Sequence, residues 1–465
     1  MASKRDLVEA HAYNRRRLVS AFLSGAPSGR EVESVSRSRP VVAGLALGGL
    51  LVGGAAVAGL FATPLPNGWE NGYVVIGKSS AARFVSIKGN LHPVLNATSA
   101  RLILPSDKGF EVLVVDDEKI AATPHGSTLG ILGAPDDLPP ADALVQSGWV
   151  SCFDGTRTAL TLSATTPPAY ADSSGLTAKV TGSDKDVRYL LSAGRRYLIE
   201  PASYDPVKQY LGQLETPQPV TGAWVDLFNP GTDLTFDAFA FKGGRAAVGK
   251  PLTGQFTLGN KLASTGQLIV NKDQGTTMSV MVANGTIPLT PFAAAVYQAV
   301  APDALGKPVT VSNDDLSKIQ PSDTKGLVPA DWPTALPKPA TGTPCAVLET
   351  ADAKGATTHL ALQPSDSPWV RLPTKGSVRP TVSVQPGRGA LVRASSTATS
   401  GPVSVIDQSG QSFTVTDPSA ETLARLGYRG LTPRFVPPAW VAQLPAGPAL
   451  SEAAVGAPKI DSAGS

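Results

Sequence analysis

The most literal chemical motif in this chain is Gly72-Tyr73-Val74-Val75-Ile76-Gly77-Lys78-Ser79, which matches the phosphate-loop pattern Gly-x-x-x-x-Gly-Lys-Ser. A working phosphate loop is a glycine-rich turn between a strand and a helix, and its free backbone N–H groups cradle the anion. Here Tyr73–Ile76 is a β-rich run that would spend those N–H groups in a sheet, so Gly72, Gly77, Lys78 and Ser79 read as a decoy. Ser322-Asp323-Thr324-Lys325 has the Ser-x-x-Lys spacing of a nucleophile beside an amine, but Pro321 and Gly326 flank it and a loop is expected. Beyond residue 40 the histidines are His92, His125 and His359, none at metal-ligand spacing. Asp136 and Asp137 are adjacent and read as a solvated turn rather than a catalytic pair. The sequence therefore calls for no enzyme activity, cofactor or metal.

Two cysteines remain, Cys152 and Cys345. In an oxidising compartment they pair and close a loop of about 190 residues. The alternative is two buried free thiols.

The elements that must position these residues begin with charge. Residues 1–40 hold 8 Lys/Arg against 4 Asp/Glu, and the remaining chain holds 32 against 33. A basic arm on a near-neutral body argues against nucleic acid as a partner. Residues 41–61, VVAGLALGGLLVGGAAVAGLF, are 21 uncharged residues. At 1.5 Å per residue they reach the roughly 30 Å of a bilayer core, and a 40-residue charged stretch ahead is too long for a signal peptide. Arg30, Arg37 and Arg39 precede the span, whereas the first basic residue after it is Lys78, so the N-terminus is expected in the cytoplasm and the bulk outside. Small residues spaced by four, Gly44/Gly48 and Gly49/Gly53, suit helix packing within the membrane. Leu7, Leu18 and Phe22 beside Arg15–Arg17 suit an interfacial helix touching membrane lipid or a cytosolic partner.

Beyond the span one pattern recurs at 82–105, 188–212, 278–300 and 403–428: strand, small glycine turn, second strand, helix. Gly89, Gly194, Gly285 and Gly410 mark the hairpins, and a Pro or polar cap opens each helix. Stretches 156–165, 234–241, 252–270 and 378–394 read as strands of a central β-rich body. The fold expected is α+β and β-rich: a cytoplasmic arm (1–40), one transmembrane helix (41–61), an extracytoplasmic part (62–450) with four degenerate hairpin–helix repeats, and a disordered tail (451–465).

These features resemble the EccB family, a core membrane component of the type VII (ESX) secretion systems of actinobacteria. The resemblance is carried by AYNRRRLVSAFL at 12–23, LHPVLN at 91–96, LGILGAPDDLP at 129–139, WVSC at 149–152, VPPAW at 436–440 and LPAGP at 444–448. It implies an elongated extracytoplasmic body of four repeats around a central β domain, stapled by a disulfide to which Cys152 and Cys345 correspond. It implies as partners an EccC-type ATPase, the EccD and EccE membrane subunits, a mycosin protease and a second copy of the chain. A structural subunit of the secretion complex in the cytoplasmic membrane is the function expected. A membrane-anchored protein that binds or hydrolyses cell wall is the alternative, and it would need a nucleophile or paired carboxylates that the sequence does not place together.

Overall fold

The computed structural model describes residues 3–24, 65, 68–105, 110–212, 216–252, 257–258, 261–273, 275, 277–339, 341–351, 355–370, 380–395 and 400–456. The chain divides into two compact units, Met1–Asn67 and Gly68–Ser465. The first contains helix α1 (Lys4–Ser24), with Leu7, Val8, Leu18 and Phe22 all exposed. The apolar stretch 41–61, with Gly44, Gly48, Gly49 and Gly53, lies outside the described residues. Among the described residues no helix is long and apolar enough to cross a membrane.

In the second unit, module 1 comprises β1 (Val74–Gly77), β2 (Arg83–Ile87), β3 (Asn90–Pro93), α2 (Ala97–Ile103), β4 (Val112–Val115) and α3 (Asp117–Ala122). Two strands of a central sheet follow, β5 (Trp149–Phe153) and β6 (Thr158–Leu162). Module 2 comprises β7 (Ser174–Thr181), β8 (Arg188–Ser192), β9 (Arg195–Ile199), α4 (Tyr204–Tyr210), β10 (Gln218–Thr221), α5 (Gly222–Val225) and β11 (Asn229–Pro230). A hairpin of β12 (Thr257–Leu258) and β13 (Lys261–Leu262) precedes module 3: β14 (Leu268–Asn271), β15 (Met278–Val282), β16 (Gly285–Pro288), α6 (Pro291–Val300), β17 (Val309–Val311) and α7 (Asn313–Ser317). After β18 (Lys338–Pro339), the chain returns as β19 (Thr343–Ala351), β20 (Gly355–Gln363) and β21 (Thr381–Val384). These complete the central sheet in the order β20-β19-β5-β6-β21. Module 4 comprises β22 (Ala390–Ala394), β23 (Val403–Ile406), β24 (Ser412–Val415), α8 (Ala420–Arg425), β25 (Arg434–Val436) and α9 (Pro438–Val441), and α10 (Glu452–Val455) follows.

All four modules connect in the same way. Three strands form an antiparallel meander, and a helix then carries the chain back to a fourth strand parallel to the first: β4 on β1, β10 on β7, β17 on β14 and β25 on β22. A parallel return needs such a crossover, which a tight turn cannot supply. A second short helix brings the chain to the other edge, where it pairs parallel to the third strand at Leu91↔His125, Ile199↔Leu234, Thr286↔Pro321 and Ser412↔Ala446.

The hairpin turns follow from residue type. Lys88-Gly89 and Ala193-Gly194 are two-residue loops with positive φ at both positions (51° and 77°; 48° and 73°), the type I′ geometry that matches strand twist. Side-chain caps start three of the crossover helices: Asn96 accepts from the Ser99 N–H, Thr290 from Ala293 and Ser419 from Thr422. In module 2 a 3-10 turn opening at Pro201 does that work instead.

Three buried clusters set the packing order. The central sheet shares its main core with modules 2 and 4, through Trp149, Phe153, Leu160, Trp224, Val392 and Trp440. Module 2 shares a second core with module 3, and module 1 a third with module 4. Modules 2 and 4 are thus inner and modules 1 and 3 outer.

Two expectations need correction. Residues 234–241 form no central strand: Phe236–Ala238 is a 3-10 turn, and Phe236, Phe239 and Phe241 are buried against Tyr297 in the shared core of modules 2 and 3. Within 252–270 the strands belong to the short hairpin and to module 3, and 390–394 belongs to module 4, leaving β6 and β21 as the central strands of those stretches. Within the stretch expected as tail, Glu452–Val455 is helical, Ser451 caps it and Val455 is buried in the core of modules 1 and 4. Residues 457–465 lie outside the described residues.

Candidate functional site

The centre of the second unit is the pairing of β5 with β19. Their antiparallel register sets Cys152 opposite Cys345, with Cα atoms 4.0 Å apart and a disulfide between the sulfurs. Both cysteines are fully buried beside Val150, Val347 and Ala361, with Trp369 and Val370 over them. The bond closes the loop that contains modules 2 and 3. Chain entropy sets about 5 kcal/mol as the ceiling for such a closure.

On the opposite face two tryptophans plug the sheet from equivalent helices. α5 brings Trp224, whose Nε1–H donates to the Ser151 carbonyl at 3.0 Å. α9 brings Trp440, whose Nε1–H donates to Thr358 Oγ1 at 3.0 Å. Trp440 also meets Trp149 edge-on, with ring centres 6.5 Å apart. Ala223-Trp224-Val225 and Ala439-Trp440-Val441 are the same triplet, a signal visible in the sequence that the hairpin pattern did not include. The matching helices of the outer modules carry Ile120 and Leu316 instead.

A second signal lies where the chain returns beside each third strand. Gly126, Gly231 and Gly447 donate their N–H to Leu91, Arg196 and Ser412, and each lies under the ring of the next residue, His92, Tyr197 or Phe413. A Cβ there would lie 2.1–2.3 Å from a ring atom. In module 3 Ser322 takes that place, donating to Thr286 beside the aliphatic Ile287.

The phosphate-loop match is sheet. Val74, Gly77 and Lys78 donate their N–H groups to Glu111, Ala82 and Val115, each at 2.9 Å. The two remaining N–H groups of the turn, Ser79 and Ser80, point to one oxygen of Asp117 at 2.9 and 3.3 Å. The Ser80 hydroxyl and then the Ser79 N–H hold the Asp117 carboxyl below the usual carboxylate range. Lys78 faces Asp116 at 3.8 Å, with both side chains exposed. A carboxylate thus occupies the position a phosphate would need.

His92 and His125 lie on paired neighbouring segments of module 1, and His359 lies on the central sheet. His92 Nδ1 lies 2.9 Å from the Ser127 carbonyl, and His125 meets Phe84 edge-on. His359 on β20 is held between two acids: Nδ1 is 2.9 Å from Asp172 Oδ2, and Nε2 is 3.1 Å from Glu349 Oε2 without hydrogen-bond alignment. Its ring stacks on Tyr170, centres 4.1 Å apart. Burial, then the charges of Glu349 and Asp172, push the Tyr170 hydroxyl up. Sequence reasoning missed this cluster because Asp172 and His359 are 187 residues apart. It ties the link between β6 and β7 to the edge of the central sheet, where the Ala171 N–H donates to Leu360 at 2.7 Å. Asp136 is more than a solvated turn: it pairs with Arg83 at 2.6 Å and accepts from the Ala97 N–H at 3.2 Å. Ser322 Oγ bonds Asn284 at 2.6 Å. Among the described residues no group of three His, Cys, Asp or Glu side chains has metal-holding geometry.

The geometry defines a strand-rich α+β body of four like sheets on a stapled fifth. Solved structures have the same fold. One, described as the EccB3 dimer from the ESX-3 core complex, superposes with a TM-score of 0.64 at 22% identity, covering 82% of this chain and 99% of that one. A chain of the intact ESX-5 inner membrane complex gives 0.60 at 22% identity, covering 98% and 95%.

The family model for the type VII secretion system ESX-1 transport TM domain B matches residues 1–459, and the chain belongs to that family, EccB. The ESX-5 secretion system ATPase EccB5 of Mycobacterium tuberculosis is 26% identical over 262 residues, 53% of this chain and 49% of the relative. The ESX-3 secretion system ATPase EccB3 of Mycolicibacterium smegmatis is 34% identical over 118 residues, 25% and 22% of the two chains. The chain spans about half the length of the ESX-5 relatives it matches.

Proposed function

We propose that this protein is a structural subunit of a type VII secretion complex in the cytoplasmic membrane. Residues 1–40 are cytoplasmic, 41–61 span the bilayer with Gly44, Gly48, Gly49 and Gly53 as a packing ridge, and 62–450 form an elongated extracytoplasmic body. The four modules are degenerate repeats of one unit. Its partners are an EccC-type ATPase, EccD and EccE membrane subunits, a mycosin protease and a second copy of itself. The observation that carries this reading is the single family match across residues 1–459. Like strand connections in all four modules support the repeat assignment. The word ATPase belongs to the relatives' names; in this reading Gly72, Gly77, Lys78 and Ser79 are a decoy, which the contacts of Asp117 with the Ser79 and Ser80 N–H groups support.

The test is a mild-detergent pull-down of the tagged chain with mass spectrometry of what co-purifies. Recovery of a multi-domain ATPase and a multi-pass membrane protein is expected. A protein recovered alone that sediments with purified peptidoglycan overturns the reading in favour of a cell-wall role. Lys78→Ala should leave secretion intact, and loss of secretion from the folded variant would return 72–79 to candidacy.

A further inference from the structure

The fourth strand of every module lies at a sheet edge, and an edge strand offers a row of unpaired N–H and C=O groups that natural proteins normally protect. The shared connection makes the four modules controls for one another. In module 2, β10 carries Pro219, which cannot donate, and its ring packs 3.3 Å from where a Cβ on Gly155 would lie. In module 3, β17 is three residues long and turns the exposed, polar Thr310 outward. In module 4, β25 lies against β19 and β20 of the central sheet. Among the described residues of module 1, β4 (four residues) has no proline, no polar side chain and no strand over its outer edge.

β4 pairs with β1 on one side and, among the described residues, with no strand on the other. The carbonyls of Glu111 and Val115 accept from Val74 and Lys78, so residues 111, 113 and 115 face β1. By alternation the N–H and C=O groups of Val112 and Val114 face outward. Their side chains are 42% and 66% exposed, an apolar strip along the open edge.

We propose that this edge is where two copies of the chain join, β4 against β4, antiparallel about a two-fold axis at Leu113. The inference rests on the self-association reading above and names its surface. The hydrogen-bond row requires an extended strand as occupant. Side-chain parity allows only registers that set Val112 and Val114 opposite residues of the same face. Centring on Leu113 sets Val112 opposite the other copy's Val114 and Val114 opposite its Val112, so both hydrogen-bonded pairs are Val–Val. Neither Glu111 nor Asp116 then faces a like charge, since they oppose Val115 and Phe110 of the other copy. Leu113 meets itself in a non-hydrogen-bonded pair, where Cα atoms approach to about 4.5 Å. The result is one continuous eight-stranded sheet, four strands from each copy's module 1.

The test uses the full-length chain in detergent, where the two native cysteines are already bonded to each other, so an introduced cysteine is the sole free thiol. Mild oxidation of Leu113→Cys should give a covalent dimer on non-reducing electrophoresis, while Asp116→Cys should not. Val114→Lys, at a side chain exposed in the single copy, should weaken the dimer at least tenfold by sedimentation while leaving the monomer's melting unchanged. A dimer that forms without the Leu113→Cys cross-link and ignores Val114→Lys overturns this surface and leaves self-association standing. A chain that is monomeric at every concentration overturns both. Loss of another subunit on Val114→Lys, with no cross-link at 113, assigns the edge to that subunit and overturns the inference.

Discussion

The inner and outer modules share one strand order and use their second short helix differently. In modules 2 and 4 that helix ends in Ala-Trp-Val, and Trp224 and Trp440 enter the core of the central sheet. In modules 1 and 3 the helix carries Ile120 or Leu316, and the module reaches the rest of the unit through its inner neighbour. One topology thus serves as anchor or as extension, according to the bulk of one side chain. An indole buries a large area and its N–H finds a partner inside, so it can key one sheet to another.

The sharpest way to break this comparison is to remove a key. Trp224→Ala or Trp440→Ala should cost about 3–5 kcal/mol, read from urea midpoints, because a fully buried indole leaves a cavity. Leu316→Ala, at a half-buried site, should cost less than about 2 kcal/mol. Equal losses would remove the distinction between inner and outer modules.

The staple comes next. Reduction, or Cys152→Ser with Cys345→Ser, should lower stability by about 2–5 kcal/mol. On non-reducing electrophoresis the wild-type chain should migrate faster than the Cys152→Ser variant. Identical migration would mean that the bond is absent in the cell.

A pH series tests the buried tyrosines of both cores. Burial pushes Tyr197, in the core of modules 2 and 3, up to about 12, and pushes Tyr297 and Tyr428 up as well. A hydroxyl whose folded pKa lies above its unfolded value near 10 contributes stability that is full below pH 10 and is lost as pH rises towards 12. For Tyr197 the loss is about 3 kcal/mol. The fold should therefore lose stability as pH rises above 10, in both cores that hold buried tyrosines, and Tyr197→Phe should remove its share of that loss. An unchanged profile would place the alkaline sensitivity elsewhere.

The smallest contrast tests the ring clamps. Gly231→Ala and Gly447→Ala push a methyl into Tyr197 or Phe413 and should cost about 1–3 kcal/mol. Ser322→Ala, at the matching position of module 3, adds no bulk and should cost only the hydroxyl's bonds to Asn284 and Thr324, about 1 kcal/mol. A similar shift for all three would mean that the rings move aside.

Much of each module was legible. Lys88-Gly89 and Ala193-Gly194 announce tight hairpins, and Asn96, Thr290 and Ser419 announce helix starts. The same local reading failed at 234–241, where an apolar run rich in phenylalanine suggested a strand and instead fills a core. Alternation records which residues are buried, not what they are buried against. The His359 cluster was invisible for the same reason, since neither Asp172 nor Glu349 stands at a telling distance along the chain.

By itself, then, the sequence determined the local geometry: turns where glycine tolerates positive φ, caps where a side-chain oxygen meets a free N–H, and strands where β-branched residues run. Only the tertiary structure decided which module is inner, which edge is covered and which acids hold a histidine. Those outcomes depend on contacts between residues hundreds of positions apart. Such contacts form only when whole sheets pack, and no short-range pattern encodes them.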